Sequence, residues 1–186
     1  TLTNAMENLH KKEKLEYMNQ ILSDLYVRDS VTGLYNRMGY QKLSISYFTI
    51  MREKKMPVLV MFIDLDRLKY INDTFGHEYG DFAIISIAKA MLKHCDADAI
   101  AARTGGDEFI VLEGAKDEES GRVLAQKIRT ELSKTQRAMQ LPFDLSASIG
   151  AVVAHPGEEN VLESYVKRAE MLMYEEKAEK KVSRDS

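Results

Sequence analysis

Six consecutive apolar residues, Val58-Leu-Val-Met-Phe-Ile63, follow Pro57 and stop abruptly at Asp64-Leu65-Asp66. A strand with one wet face alternates apolar and polar side chains, so a run without a polar break predicts a strand buried on both faces. Such a strand commits the chain to a sheet covered by helices, and 186 residues at 45% apolar content can bury one substantial core of that kind. Asp64 falls at or just beyond the end of the run. Asp66 points to the same side if the extended geometry persists, because side chains two apart share a face.

The second constraint is Thr104-Gly105-Gly106-Asp107-Glu108-Phe109. Apolar runs at residues 99–103 and 109–112 flank it and predict a hairpin with the glycines at its tip, where tolerance of positive φ is useful. Taken alone, a Gly-Gly-acid turn is a polar hairpin tip, and Asp64 and Asp66 are a solvated strand end. Taken together, the acids repel: two charges about 4 Å apart cost about 4 kcal/mol at an effective dielectric near 20. A fold that gathers them binds a cation. Oxygen-only ligands beside a phosphate site point to Mg²⁺ or Mn²⁺ rather than zinc.

The remaining pattern supplies helices. Residues 1–27 form a charged, helix-favouring segment with Leu15, Met18, Leu22 and Leu25 at spacings of three and four. This is an a/d seam of under two heptads, open to two readings: a dimeric coiled coil, or an amphipathic helix packed on its own domain. Leu2, Met6 and Leu9 share the spacing but are out of phase. Asn36 is placed to cap a helix over 37–54, and Pro57 breaks the chain before the strand. After a polar segment at 67–80, a helix is predicted over 81–94 with Ile84, Ile87, Ala88 and Met91 inward, and another over 118–134 with Val123, Leu124, Ile128 and Leu132 inward. Residues 145–154 read as a strand and 161–180 as the final helix.

Composition narrows the function classes. A net charge of −3 argues against nucleic-acid binding. The single cysteine, Cys95, rules out an internal disulfide and sits in apolar surroundings as a small core residue. No apolar run approaches the roughly 18 residues of a membrane span, and no signal-peptide pattern is present. The start at Thr1 suggests an excised fragment, with an upstream sensor or anchor expected.

Four separated motifs now carry a family resemblance: Asp29-Ser-Val-Thr-Gly-Leu-Tyr-Asn-Arg37; Asp64-Leu-Asp-Arg-Leu-Lys-Tyr-Ile-Asn72 continuing through Gly76-His77 to Gly80-Asp81; Arg103-Thr-Gly-Gly-Asp-Glu-Phe109; and Ser148-Ile-Gly150. In content and order the chain from Arg28 onward resembles the GGDEF domains, the diguanylate cyclases that make cyclic di-GMP from two GTP. The resemblance implies a palm-like nucleotidyl cyclase fold of α/β (α+β) type, with a mainly antiparallel central sheet flanked by helices. It favours reading residues 1–27 as a signalling helix ahead of a domain over 28–186. It further implies a cytoplasmic homodimer of half-sites, each holding one GTP. A GTP-binding module that only regulates a partner is the alternative.

By the same resemblance, Asp64, Asp107, Glu108 and the backbone carbonyl of Leu65 hold Mg²⁺ or Mn²⁺, and Asp107 or Glu108 accepts the hydroxyl proton. Gly105 and Gly106 admit the phosphates. Asn72 and Asp81 read guanine, whose N1–H and amine suit a carboxylate acceptor, and His77 lies beside the substrate. Without the resemblance, Asn72 is a turn residue, Asp81 a helix N-cap and His77 a surface residue. Lys69 and Lys177 neutralise phosphate, joined by Lys181 at a position where relatives carry arginine; Lys180 stands where they carry glycine. Arg67 and Leu68 replace residues that are often aromatic. At the positions of the inhibitory Arg-x-x-Asp motif stand Asp96 and Ala99.

Overall fold

The computed structural model describes residues 2–158 and 161–185. Val58–Leu65, β1, is its hub and is buried along its whole length. It pairs on one side with β3 (Glu108–Gly114) and on the other with β4 (Ala147–Ala154), while β2 (Ile100–Arg103) pairs with β3. The sheet order is β2-β3-β1-β4, antiparallel throughout, with helices against it.

The period-2 alternation of β1 divides the core. Leu59, Met61, Ile63 and Leu65 pack with α4 (His77–His94) and α5 (Ser120–Ala138), and Val58, Val60 and Phe62 pack with α2 (Arg37–Glu53) and α6 (Leu162–Asp185). Each such buried side chain contributes about 1.5–3 kcal/mol. Asp64 continues the second series, so the first acid after the apolar run is delivered to the face that α6 covers.

Local signals account for the helix boundaries that sequence captured. The Asn36 side chain accepts a hydrogen bond from the Gly39 amide, capping α2 as expected. Its amide nitrogen also donates to the Tyr26 carbonyl at 2.8 Å, tying α2 to the end of α1 (Leu2–Val27). On α1, Met6, Leu9, Leu15 and Met18 are all exposed, so these residues do not pack on their own domain; the side chains of Leu2, Leu22 and Leu25 lie outside the described residues.

Several expectations are corrected. The polar segment after β1 contains a further helix, α3 (Leu68–Phe75), because Leu68, Ile71 and Phe75 recur on one face and pack on the core. Gly76, at φ 98°, separates it from α4. Since α4 starts at His77, Asp81 sits in its second turn and is no N-cap. In α5 the inward residues are Leu124, Ala125, Ile128 and Leu132, whereas Val123 is exposed. Cys95 is the C-cap of α4 and half-buried; burial first, then Glu113 and Asp96, pushes its thiol up to about 12.

Candidate active site

At the end of β1, Asp64 and Asp66 are only 4% and 3% exposed. Both reach α6, and each has its own lysine: Lys177 Nζ lies 2.7 Å from Asp64 Oδ1, and Lys180 Nζ lies 3.0 Å from Asp66 Oδ2. Burial raises the Asp64 carboxyl, the Lys177 hydrogen bond pulls it down, and the charges of Asp107 and Asp66 push it up again, leaving it above the ordinary range. Burial lowers the Lys177 ammonium, but Asp64 outweighs that and raises it. The two groups face each other 2.7 Å apart across the end of β1. For Asp66, burial is opposed by hydrogen bonds from Ser148 (2.7 Å) and Ser146 (2.8 Å) and by Lys180, and the carboxyl settles below its usual value.

The hairpin supplies the other acids. Asp64 is the register partner of Glu108 across the β1–β3 ladder, which puts two like charges directly opposite one another. The Leu65 amide donates to the Asp107 carbonyl at 2.9 Å, stitching the tip to β1. The tip is further closed by the Thr104 amide on the Glu108 carbonyl at 2.9 Å. Arg103 braces it from outside, with Nη2 donating to the Gly106 carbonyl at 2.8 Å and Nη1 facing Asp29 Oδ1 at 3.3 Å.

The glycines work differently from expectation. Neither Gly105 nor Gly106 has positive φ. A Cβ on Gly105 would lie 2.6 Å from Glu108 Oε2, whereas one on Gly106 would meet nothing within 4 Å. Gly105 thus makes room for the Glu108 carboxylate, and Gly106 leaves the tip open to an approaching group.

Among the described residues no three His, Cys, Asp or Glu side chains converge as a ready-made metal cluster. The donor set nonetheless suits a hard cation: Asp64 and Glu108 are register partners, and burial first, then the charges of Asp107 and Asp66, raises Asp64. Lys177 supplies the compensating positive charge on Asp64.

A second group forms on α3 and α4. Asn72 lies against Gly80 so closely that a Cβ there would fall 1.9 Å from Asn72 Oδ1. Gly80 therefore lets α4 approach Asn72 of α3, and Asp81, His77 and Lys69 on the same two helices are exposed. On α6, Lys181 is exposed, and the lysine held among the acids besides Lys177 is Lys180. The partners of Lys180 lie well beyond its own helix, at Asp66 just past β1 and at Ala147 and Ser148 of β4. Gly80, Ser146 and the Arg129 to Glu176 ion pair at 2.7 Å were missed in the sequence reading. Only the Ser148-Ile-Gly150 motif signalled that β4 contributes here.

The family model described as "Diguanylate cyclase, GGDEF domain" matches residues 26–183. Diguanylate cyclase VdcA of Vibrio cholerae is 34% identical over 153 residues, covering 80% of this chain and 43% of that protein. The bifunctional diguanylate cyclase/cyclic di-GMP phosphodiesterase MucR of Pseudomonas aeruginosa is 31% identical over 160 residues, covering 86% of this chain and 23% of MucR. The chain thus spans less than half the length of these relatives. The crystal structure of the coiled coil and GGDEF domain of DgcB from Caulobacter crescentus, in complex with c-di-GMP, superposes with a TM-score of 0.76 over 95% of this chain and 93% of that one; at 22% identity the likeness shows the fold.

Proposed function

Because this chain belongs to the GGDEF diguanylate cyclase family, we propose that it condenses two GTP into cyclic di-GMP, with two copies meeting face to face and each holding one GTP. The observation that carries this reading is the opposition of Asp64 and Glu108, with Asp107 beside them at the hairpin tip. In each of two equivalent steps the 3′-oxygen of one GTP bonds to the α-phosphorus of the other, and the bond from that phosphorus to the bridging oxygen breaks to release pyrophosphate. Asp107 or Glu108 accepts the proton leaving the 3′-hydroxyl. Mg²⁺ or Mn²⁺ would be held by Asp64, Asp107, Glu108 and the Leu65 carbonyl, and when bound it neutralises charge on the reacting phosphate.

The other residues bind and orient. Asn72 and Asp81 accept the guanine donors, with His77 alongside. Lys69, Lys177 and Lys181 balance the triphosphate, and Gly106 leaves space for it. Lys177 passes from Asp64 to phosphate when substrate arrives. The exposed apolar residues of α1 support pairing of two copies upstream of the domain. With GTP as its substrate the domain works in the cytoplasm, under a sensor carried elsewhere in a longer protein.

A second reading, a GTP-binding module that regulates a partner domain, is favoured by one feature: Lys180 and Lys181 stand where active relatives carry glycine and arginine. Purified protein incubated with GTP and Mg²⁺, with nucleotides resolved by chromatography, separates the two. Cyclic di-GMP supports the enzyme; GTP binding without product supports the module.

A further inference from the structure

Lys180 makes more contacts than any substrate-binding lysine could spare. Its ammonium lies 2.7 Å from the Ala147 carbonyl, 2.8 Å from Glu176 Oε1, 3.0 Å from Asp66 Oδ2 and 3.3 Å from Ser148 Oγ. A lysine has three N–H donors and no acceptor, so the three shortest contacts saturate it and leave no hydrogen for a phosphate. Those contacts belong to three elements: the end of β1, the first residues of β4, and the preceding turn of α6. Glu176 is itself fixed, by Arg129 of α5 at 2.7 Å and by the Ile149 amide at 3.3 Å.

We propose that Lys180 is a positioning residue: an internal cation that sets the rotation and axial position of α6 so that Lys177 is aimed at the mouth of the acidic site. The geometry supplies the reason. Asp64 lies in β1 and Asp66 in the turn just past its end, and Lys177 and Lys180 are three apart on a helix, about 4.5 Å. Each lysine reaching its own acid restricts how the helix can be set against the strand end. Lys177 must exchange partners when a triphosphate binds, since among the described residues its ion-pair partner is Asp64 and Lys177 is the exposed end of that pair. Lys180 need not move, because none of its partners is a substrate group. The two lysines thus divide the work: Lys180 holds the helix, and Lys177 is free to transfer.

The inference rests on the GTP reading above, and binding rather than turnover tests it. The ligand is 3′-deoxy-GTP with Mg²⁺, which lacks the attacking hydroxyl and cannot cyclise; affinity is measured by calorimetry for wild type, Lys180→Met, Lys177→Met and the double variant. Lys180→Met should weaken binding about tenfold, and the double variant should bind within about twofold of Lys177→Met, because the effect of Lys180 runs through Lys177. A Lys180→Met affinity within about twofold of wild type overturns the inference. So does a double variant about tenfold weaker than Lys177→Met, which would make Lys180 an independent phosphate contact. If Lys180→Met does not fold, Lys180→Gln and Lys180→Arg replace it, with the arginine expected to retain more affinity than the glutamine. A wild-type protein that fails to bind the analogue removes the GTP reading and this inference together, whereas normal wild-type binding with an indifferent Lys180→Met removes the inference alone.

Discussion

Gly150→Ala is a one-methyl perturbation that strikes the junction on which the site depends. Gly150 sits in β4 opposite Phe62, and α6 passes over it so closely that a Cβ would lie 1.9 Å from the Ala169 carbonyl oxygen and 2.5 Å from the Met173 amide nitrogen. Those two atoms are one hydrogen-bonded turn of α6, so no side chain can swing aside. To reach even 3.0 Å the carbonyl must retreat by about 1.1 Å (3.0 − 1.9), and overpacking of this kind costs about 1–3 kcal/mol. Because helix backbone must move, the upper end applies, about 3 kcal/mol, equivalent to about 6–12 °C in Tm for a chain of this size. The same retreat carries Lys177, one turn further on, away from its 2.7 Å contact with Asp64, so GTP affinity should fall as well. Urea unfolding followed by circular dichroism measures the stability change. Gly157→Ala, where a Cβ meets nothing within 4 Å, is the control and should stay within about 0.5 kcal/mol of wild type. If Gly150→Ala matches that control, the close approach of α6 to β4 is not what holds the site together.

Asp107→Asn should abolish cyclic di-GMP synthesis in a folded protein, since an amide is a poor Mg²⁺ ligand; near-normal product on chromatography would refute the assignment. GTP should be preferred over ATP at least tenfold in direct competition, and Asp81→Ala should narrow that margin, because adenine leaves the acid unpaired at about 1–3 kcal/mol; equal use of both nucleotides by the wild type would remove guanine reading from Asn72 and Asp81. Cyclic di-GMP should not bind tightly at Asp96 to Ala99, where carboxylate replaces the bidentate guanidinium and the Asp96 amide is occupied by Glu113 Oε2 at 2.9 Å; submicromolar calorimetric binding that disappears on mutating Asp96 would show otherwise. Since the Asp66 carboxyl is held below its ordinary 3.8, its stabilisation is present above that value and lost as pH falls through the lowered one. Asp66→Asn should therefore flatten the acid limb of the stability profile below about pH 4, and an unchanged limb would contradict the hydroxyl and Lys180 contacts.

What was legible in the sequence was whatever short-range pattern encodes. The unbroken run Val58 to Ile63 declared a strand covered on both faces, the Asn36 cap was readable three residues from its partner amide, and alternation put Asp64 and Asp66 on one side. The motifs carried the family and the candidate chemistry, and the structure agrees on the antiparallel sheet and buries Asp64 and Asp66 at the end of β1. Other features depended on partners far along the chain. The helix α3 is short, only eight residues, and Ile71 is fixed by a core that lies far along the chain. Asp81 looked like a cap until the turn at Gly76 started the helix four residues earlier. Gly105 mattered for a carboxylate three residues away rather than for its φ, and Gly80 and Gly150 for close contacts that only packing creates. Lys180 and Lys181 are chemically identical in the sequence. The rotation of α6 over β4 turned one of them into Asp66, 114 residues away, and left the other facing water, because a helix's own period says which residues share a face but not which way that face is turned.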